Sequence, residues 1–128
     1  SVSVTELRIG NLVHFNNYSS IGKISLIKGD LLSNYSYVSL DFRINNFHPI
    51  NKIQPIPITE EWLMKFGFIK CIDCFYRLKY SNSIEILFYD NGKIILNVYY
   101  ESVENIKYVH QLQNLYFALT GSELELVE

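Results

Sequence analysis

The residues best suited to chemistry are Cys71 and Cys74, three positions apart in Lys70-Cys71-Ile72-Asp73-Cys74. A CxxC pair can hold a metal or cycle between dithiol and disulfide. A structural zinc site needs a second such pair or a spaced pair of histidines, whereas His14, His48 and His110 are scattered singly. A redox pair wants its thiolate where a strand opens into a helix. The span Phe68–Tyr80 reads instead as one strand, which sends the two sulfurs to opposite faces. Two reduced thiols and no metal are expected. Glu60 and Glu61 make no acid/base pair, because neighbours on a helix point about 100° apart. No Ser or Cys sits in a nucleophile elbow, and Gly10, Gly22 and Gly29 assemble no phosphate loop. The chain reads as a non-enzyme without a cofactor.

Binding chemistry is better represented. Asn16-Asn17-Tyr18-Ser19-Ser20 and Ser33-Asn34-Tyr35-Ser36-Tyr37 share a Tyr, Ser and Asn composition. Tyr18, Tyr35 and Tyr37 offer large contact area at low entropy cost, and the small polar groups adapt around them. The same residues also build ordinary turns. Arg8, Arg43 and Arg77 are the anion contacts to expect if a ligand carries phosphate, since a guanidinium fork suits it. A last cluster, His110, Gln113, Asn114 and Phe117, occupies one face of a helix over Tyr108–Thr120 that has no charged residue. Solvated helix faces are normally stocked with Lys and Glu, so this face suits contact. Its amides could rim a pocket, or form a buried network or a subunit interface.

The elements that must position these groups follow from pattern. A length of 128 residues fits one domain. The first half reads as short strands: Leu7–Phe15 broken by Gly10-Asn11, Ile21–Ile27, Tyr35–Phe42 and Ile50–Ile58, the last confined to an edge by Pro55 and Pro57. These predict a small SH3-like barrel or bent sheet over residues 1–58. Thr59 as N-cap, Glu60 and Glu61 in the first turn, Ile58 stapled to Leu63, and Gly67 as C′ predict a short helix. Three strands follow, Phe68–Tyr80, Ile84–Tyr89 and Lys93–Tyr100, the last two joined through Asn91-Gly92, a strong hairpin signal. A two-residue turn there sets Leu87 against Leu96 and Ile86 against Asn97. Both faces of this hairpin read as mostly apolar, so cover on both sides is expected. The closing helix ends at Gly121, with Val109, Leu112, Leu115, Tyr116 and Leu119 as its core face. The fold class is α+β, with residues 59–128 forming an α-β-β-β-α half.

Three stretches carry a resemblance. Glu6-Leu7-Arg8-Ile9-Gly10-Asn11-Leu12-Val13, Pro57 to Phe68 (PITEEWLMKFGF) and Tyr108 to Gly121 (YVHQLQNLYFALTG) resemble a family of small uncharacterised proteins of Bacteroidetes and their phages. The resemblance implies context, a phage-type protein working in an infected bacterium, and transfers no site residue. Net charge of −2 and a pI near 5.9 disfavour a nucleic-acid tracker, which normally shows a basic stripe. No apolar run approaches the ~20 residues of a membrane span, and no leader opens the chain, so the host cytoplasm is the expected compartment. An aromatic share of 15% supplies rings for stacking on bases. Together these point to a non-catalytic homo-oligomer that sequesters a host molecule, a small nucleotide immune signal being the first candidate. A protein-interaction module acting on a host protein or within the virion is the alternative, and a nucleic-acid-binding barrel the third.

Overall fold

A computed structural model describes residues 6–16, 20–29, 36–41, 47–72, 75–78, 81–89, 93–98, 101–103 and 105–127, with only the backbone of 81–83. The fold is α+β: two antiparallel sheets, of four and five strands, and two helices. Among the described residues, no helix is long and apolar enough to cross a membrane. The chain divides into two compact units, residues 1–57 with 108–123, and residues 58–107 with 124–128. The closing helix thus belongs with the N-terminal strands rather than with the segment that precedes it in sequence.

The first unit is a meander of β1 (Leu12–Phe15), β2 (Ser20–Gly29), β3 (Ser36–Leu40) and β4 (Phe47–Pro49), each paired with the next. The edge β4 falls outside every predicted strand. The predicted strand Ile50–Ile58 is instead a 3-10 turn at Ile50–Lys52 followed by Gln54, which exchanges both backbone bonds with His14 at 2.9 Å. Two prolines in that stretch leave too few N–H groups for a ladder. β2 is long enough to serve two neighbours. Its first residues pair β1, its later ones pair β3, and the register slips at Ser25. The slip turns Ile24 inward and Leu26 outward although they are two apart, as a bulge does. Val13, Ile24, Val38, Leu40 and Ile53 form the core, with Phe15, Ile27 and Ile50 packed against it. Neither sheet is closed into a barrel.

The helix α2 (Val109–Thr120) ends where predicted, with Gly121 at φ 74° donating to Phe117 C=O at 2.8 Å. A left-handed C-terminal residue is glycine's usual place. Its inward face differs from the predicted one. Val109, His110, Leu112 and Gln113 are buried, Leu115 and Tyr116 are half-buried, and Leu119 is exposed. The helix has turned part of its uncharged polar face into its own unit, which removes the need to solvate it.

In the second unit, α1 (Glu60–Lys65) begins as predicted, with the Thr59 hydroxyl accepting from Trp62 N–H at 3.2 Å. It packs against β5 (Phe68–Lys70). The stretch 68–80 is a hairpin and not one strand: β5 is followed by β6 (Phe75–Leu78), and Cys71 N–H donates to Phe75 C=O at 2.8 Å. Cys71 therefore lies at a turn and is exposed; Cys74 lies outside the described residues. β7 (Ser81–Phe88), β8 (Ile94–Val98) and β9 (Glu101–Val103) complete a sheet ordered as in the chain. The β7–β8 register is one residue from that of a two-residue turn. Ile84 faces Val98, Ile86 faces Leu96 and Phe88 faces Ile94. Residues 90–92, the predicted turn, lie outside the described residues. A one-residue slip exchanges the two faces, and this register gathers Ile84, Ile86, Ile94, Leu96 and Val98 on one buried side. The other side, expected to be covered too, holds half-buried Phe75, Leu87 and Ile95.

Candidate functional site

Five of the predicted binding residues, Arg8, His110, Gln113, Asn114 and Phe117, come together in the first unit. α2 places Gln113 and Asn114 side by side against residues 6–12, a segment turning through Gly10 at φ 99°. Gln113, 2% exposed, accepts from Leu12 N–H at 2.9 Å and donates to Gly10 C=O at 3.1 Å. Asn114 Oδ1 accepts from Asn11 Nδ2 at 2.7 Å and from Arg8 Nε at 3.2 Å, while its Nδ2 donates to Glu6 C=O at 2.8 Å. Asn11, fully buried, accepts from Arg8 N–H at 2.7 Å. These amides supply the backbone of a non-repetitive segment with partners it would otherwise take from water.

Arg8 closes the arrangement. Its guanidinium pairs with both carboxylate oxygens of Glu123 and donates to Ile9 C=O at 3.1 Å. Its carbon also stands 4.4 Å from the centre of the Phe117 ring, a cation–π distance. A Cβ on Gly10 would meet Glu123 Oε1 at 3.3 Å, so the bare glycine lets the carboxylate sit against the turn. The fork that could take a phosphate is thus filled by a carboxylate of the chain itself, held two-pronged as planar anions are.

His110 is 0% exposed, its Nε2 3.2 Å from Glu6 Oε1 and its ring stacked on Tyr108 at 5.9 Å. Its Nδ1 finds no hydrogen-bond partner among the described residues. The imidazole packs as a core ring tethered at one nitrogen.

The remaining candidates are elsewhere. Arg77 stands on β6, with Nε 3.3 Å from Cys71 Sγ. Tyr18, Tyr35 and Arg43 lie outside the described residues. Tyr37 is exposed on the outer face of the first sheet, and there the structure brings up residues that pattern reading missed. Leu26, Ser39 and Phe47 form one cross-strand row, and Lys28, Tyr37 and Pro49 the next. Leu26 is 44%, Phe47 41% and Tyr37 38% exposed, while Ser39 between them is buried. Three large, partly exposed side chains thus flank a buried small hydroxyl residue on this face. Tyr37 carried a compositional signal; Leu26 carried none, since the bulge that turns it outward leaves no mark in period or composition. Among the described residues, no three His, Cys, Asp or Glu side chains gather as a metal site.

Loss of the Arg8 fork should be felt as stability. Charge-assisted hydrogen bonds contribute about 1.5–3 kcal/mol, and the side chains of Arg8 and Glu123 are 28% and 36% exposed, which screens the pair. Arg8→Ala and Glu123→Ala should each cost about 2 kcal/mol in urea denaturation. The double variant should lose no more than about 3 kcal/mol, because the two share one interaction; fully additive losses would show the pair to be uncoupled.

No family model, curated protein or solved structure matches this chain.

Proposed function

We propose that this chain is a non-catalytic binding protein acting on a host protein, with the outer face of β2, β3 and β4 as its contact surface. The observation that carries the reading is the exposed set Leu26, Tyr37 and Phe47 on one face. Aromatic and aliphatic anchors around a small residue, with Lys28 at the rim, match the composition of protein interfaces, where rings are enriched and charge stays at the edge. Sequestration of a small nucleotide has less support. Arg8 is committed to Glu123, and Gln113 and Asn114 are committed to backbone, so these residues offer no convergent polar set around a concavity of the kind small ligands require. An SH3-like description of the first unit is supported by the spatial order Gln54, β1, β2, β3, β4, by the 3-10 turn before Gln54, and by the change of partner along β2. The phage-type setting rests on the three blocks of resemblance, and host cytoplasm follows from that setting.

The test is a paired capture from infected-host extract, using the wild-type chain and the Tyr37→Ala/Phe47→Ala variant. Interface anchors contribute about 2 kcal/mol or more each, so a genuine partner should bind the variant at least about 30-fold more weakly. Equal retention by both chains would remove this face from the account. A nucleotide released from the denatured wild-type protein, together with a rise in melting temperature when it is added back, would replace the protein partner with a small molecule.

A further inference from the structure

The five-stranded sheet of the second unit has one sealed face and one open face, and the open face is patterned. Register places Phe75 opposite Leu87 and Leu87 opposite Ile95, an apolar row across the three central strands. The adjacent row runs Ile69, Arg77, Glu85, Asn97, Ser102, each opposite the next. None of these side chains is buried; the three apolar ones at the centre, with Arg77, Glu85 and Asn97, are half-buried, and Ile69 and Ser102 are exposed. Ser102 Oγ donates to Asn97 Oδ1 at 2.9 Å, and Arg77 Nε lies 3.3 Å from Cys71 Sγ. Arg77 and Glu85, one of each sign, stand side by side at the middle of the sheet, and the exposed Lys93, whose C=O accepts from Tyr89 N–H at 2.9 Å, continues the face beyond Ile95.

We propose that this open face is the contact between two copies of the chain, related by a two-fold axis parallel to the strands and midway between β6 and β7. A self-contacting surface must be complementary to itself, and this pattern is. The rotation sets Arg77 of one copy over the partner's Glu85, and Glu85 over the partner's Arg77. It also lays the apolar row on itself, Phe75 over Leu87 and Leu87 over Phe75. An axis running across the strands through the polar row would put Arg on Arg, and one midway between the two rows would put apolar residues on polar ones. An anionic partner such as a nucleic acid is poorly served by a face whose two central charges cancel, and an aligned stack of two sheets is a common packing. The proposal is independent of the β2–β3–β4 contact surface and survives its failure.

Area sets the strength. An axis between β6 and β7 overlaps β5 to β8 and leaves β9 outside. Strands ~4.8 Å apart and residues ~3.3 Å apart give four strands of about five residues a plane of roughly 14 by 17 Å. That is roughly 240 Å² per copy, well under the ~800 Å² per partner of a standard stable complex. The dimer is therefore weak, dissociating at about micromolar concentrations or above, and both the apolar row and the two charges are needed.

Sedimentation velocity on the full chain from about 5 to 500 µM reads this directly. The wild type should shift from monomer towards dimer across the range, and Leu87→Arg should stay monomeric. R77E and E85R should each fail to self-associate, because like charges then meet across the axis. An equimolar mixture of the two should form a heterodimer, since Glu at 77 meets the partner's Arg at 85 and native Arg77 is left facing native Glu85. The R77E/E85R double variant restores both pairings and should dimerise like the wild type, which keeps the test readable if a single variant folds poorly. A wild type that is monomeric throughout would overturn the proposal. So would single variants that dimerise like the wild type, or a mixture as monomeric as its folded components.

Discussion

Gln113→Ala lowers stability by about 4 kcal/mol, the largest single loss we expect in the chain. Truncation removes two hydrogen bonds at once and leaves Leu12 N–H and Gly10 C=O without their partner. A buried backbone group stripped of its bond costs about 1–3 kcal/mol, and Gln113 is 2% exposed, so water has poor access as a substitute. The melting temperature should fall by roughly 12 °C, at about 3 °C per kcal/mol for a chain of this size. Asn114→Ala is the comparison. Asn114 is half-buried, water can replace part of what it provides, and a loss of about 1–2 kcal/mol is expected. Hydrogen exchange locates the effect: the Leu12 amide should lose protection in Gln113→Ala and keep it in Asn114→Ala. A loss under about 1 kcal/mol for Gln113→Ala would mean that the helix amides decorate the 6–12 segment without holding it.

Ile86→Ala should cost about 3 kcal/mol, and Leu87→Ala about 1 kcal/mol or less. Ile86 is fully buried and faces Leu96, so its truncation opens a cavity on the packed side of the sheet. Core losses of this kind run about 2–5 kcal/mol. Leu87 faces Ile95 on the open side and is half-buried, so less surface is returned to water. The pair of variants tests the register itself, because a slip by one residue would exchange the two outcomes. Urea denaturation with unchanged slope separates a loss of stability from a change in the denatured state.

How far the fold could be read from the sequence depended on whether the deciding interaction was local. The start of α1 at Thr59 and the end of α2 at Gly121 were legible because a cap hydroxyl, a first-turn carboxylate and a left-handed glycine act within a few residues. The hairpin at Cys71–Phe75 was not, since it turns without glycine or proline and no break in composition separates its two strands. Asn91-Gly92 favoured a two-residue turn, but the segregation of Ile84, Ile86, Leu96 and Val98 onto one face prevailed over that preference. Of the helix residues singled out as unusual for a solvated face, His110 and Gln113 are buried, Asn114 is half-buried and Phe117 is exposed. Their partners, Glu6, Arg8 and Asn11, lie about a hundred residues away, and no periodicity reports such pairings. The outward turn of Leu26 depends on one bulge at Ser25, a property of strand pairing and not of composition.

The first unit is assembled from both ends of the described chain, with residues 58–107 intervening. During synthesis the strands β1 to β4 emerge early, at a stage when Gly10 and Leu12 still lack the glutamine that will satisfy them. Chains are made at about 5–20 residues per second, so the hundred residues between Leu12 and Gln113 correspond to a delay of roughly 5–20 s. Over that interval the N-terminal sheet stands as an unfinished structure with a stripe of unsatisfied backbone. Such non-local closure slows folding and exposes surface to other chains. Ribosome-bound chains halted before residue 108 should therefore be protease-sensitive within residues 6–15, and should become resistant once α2 has cleared the exit tunnel.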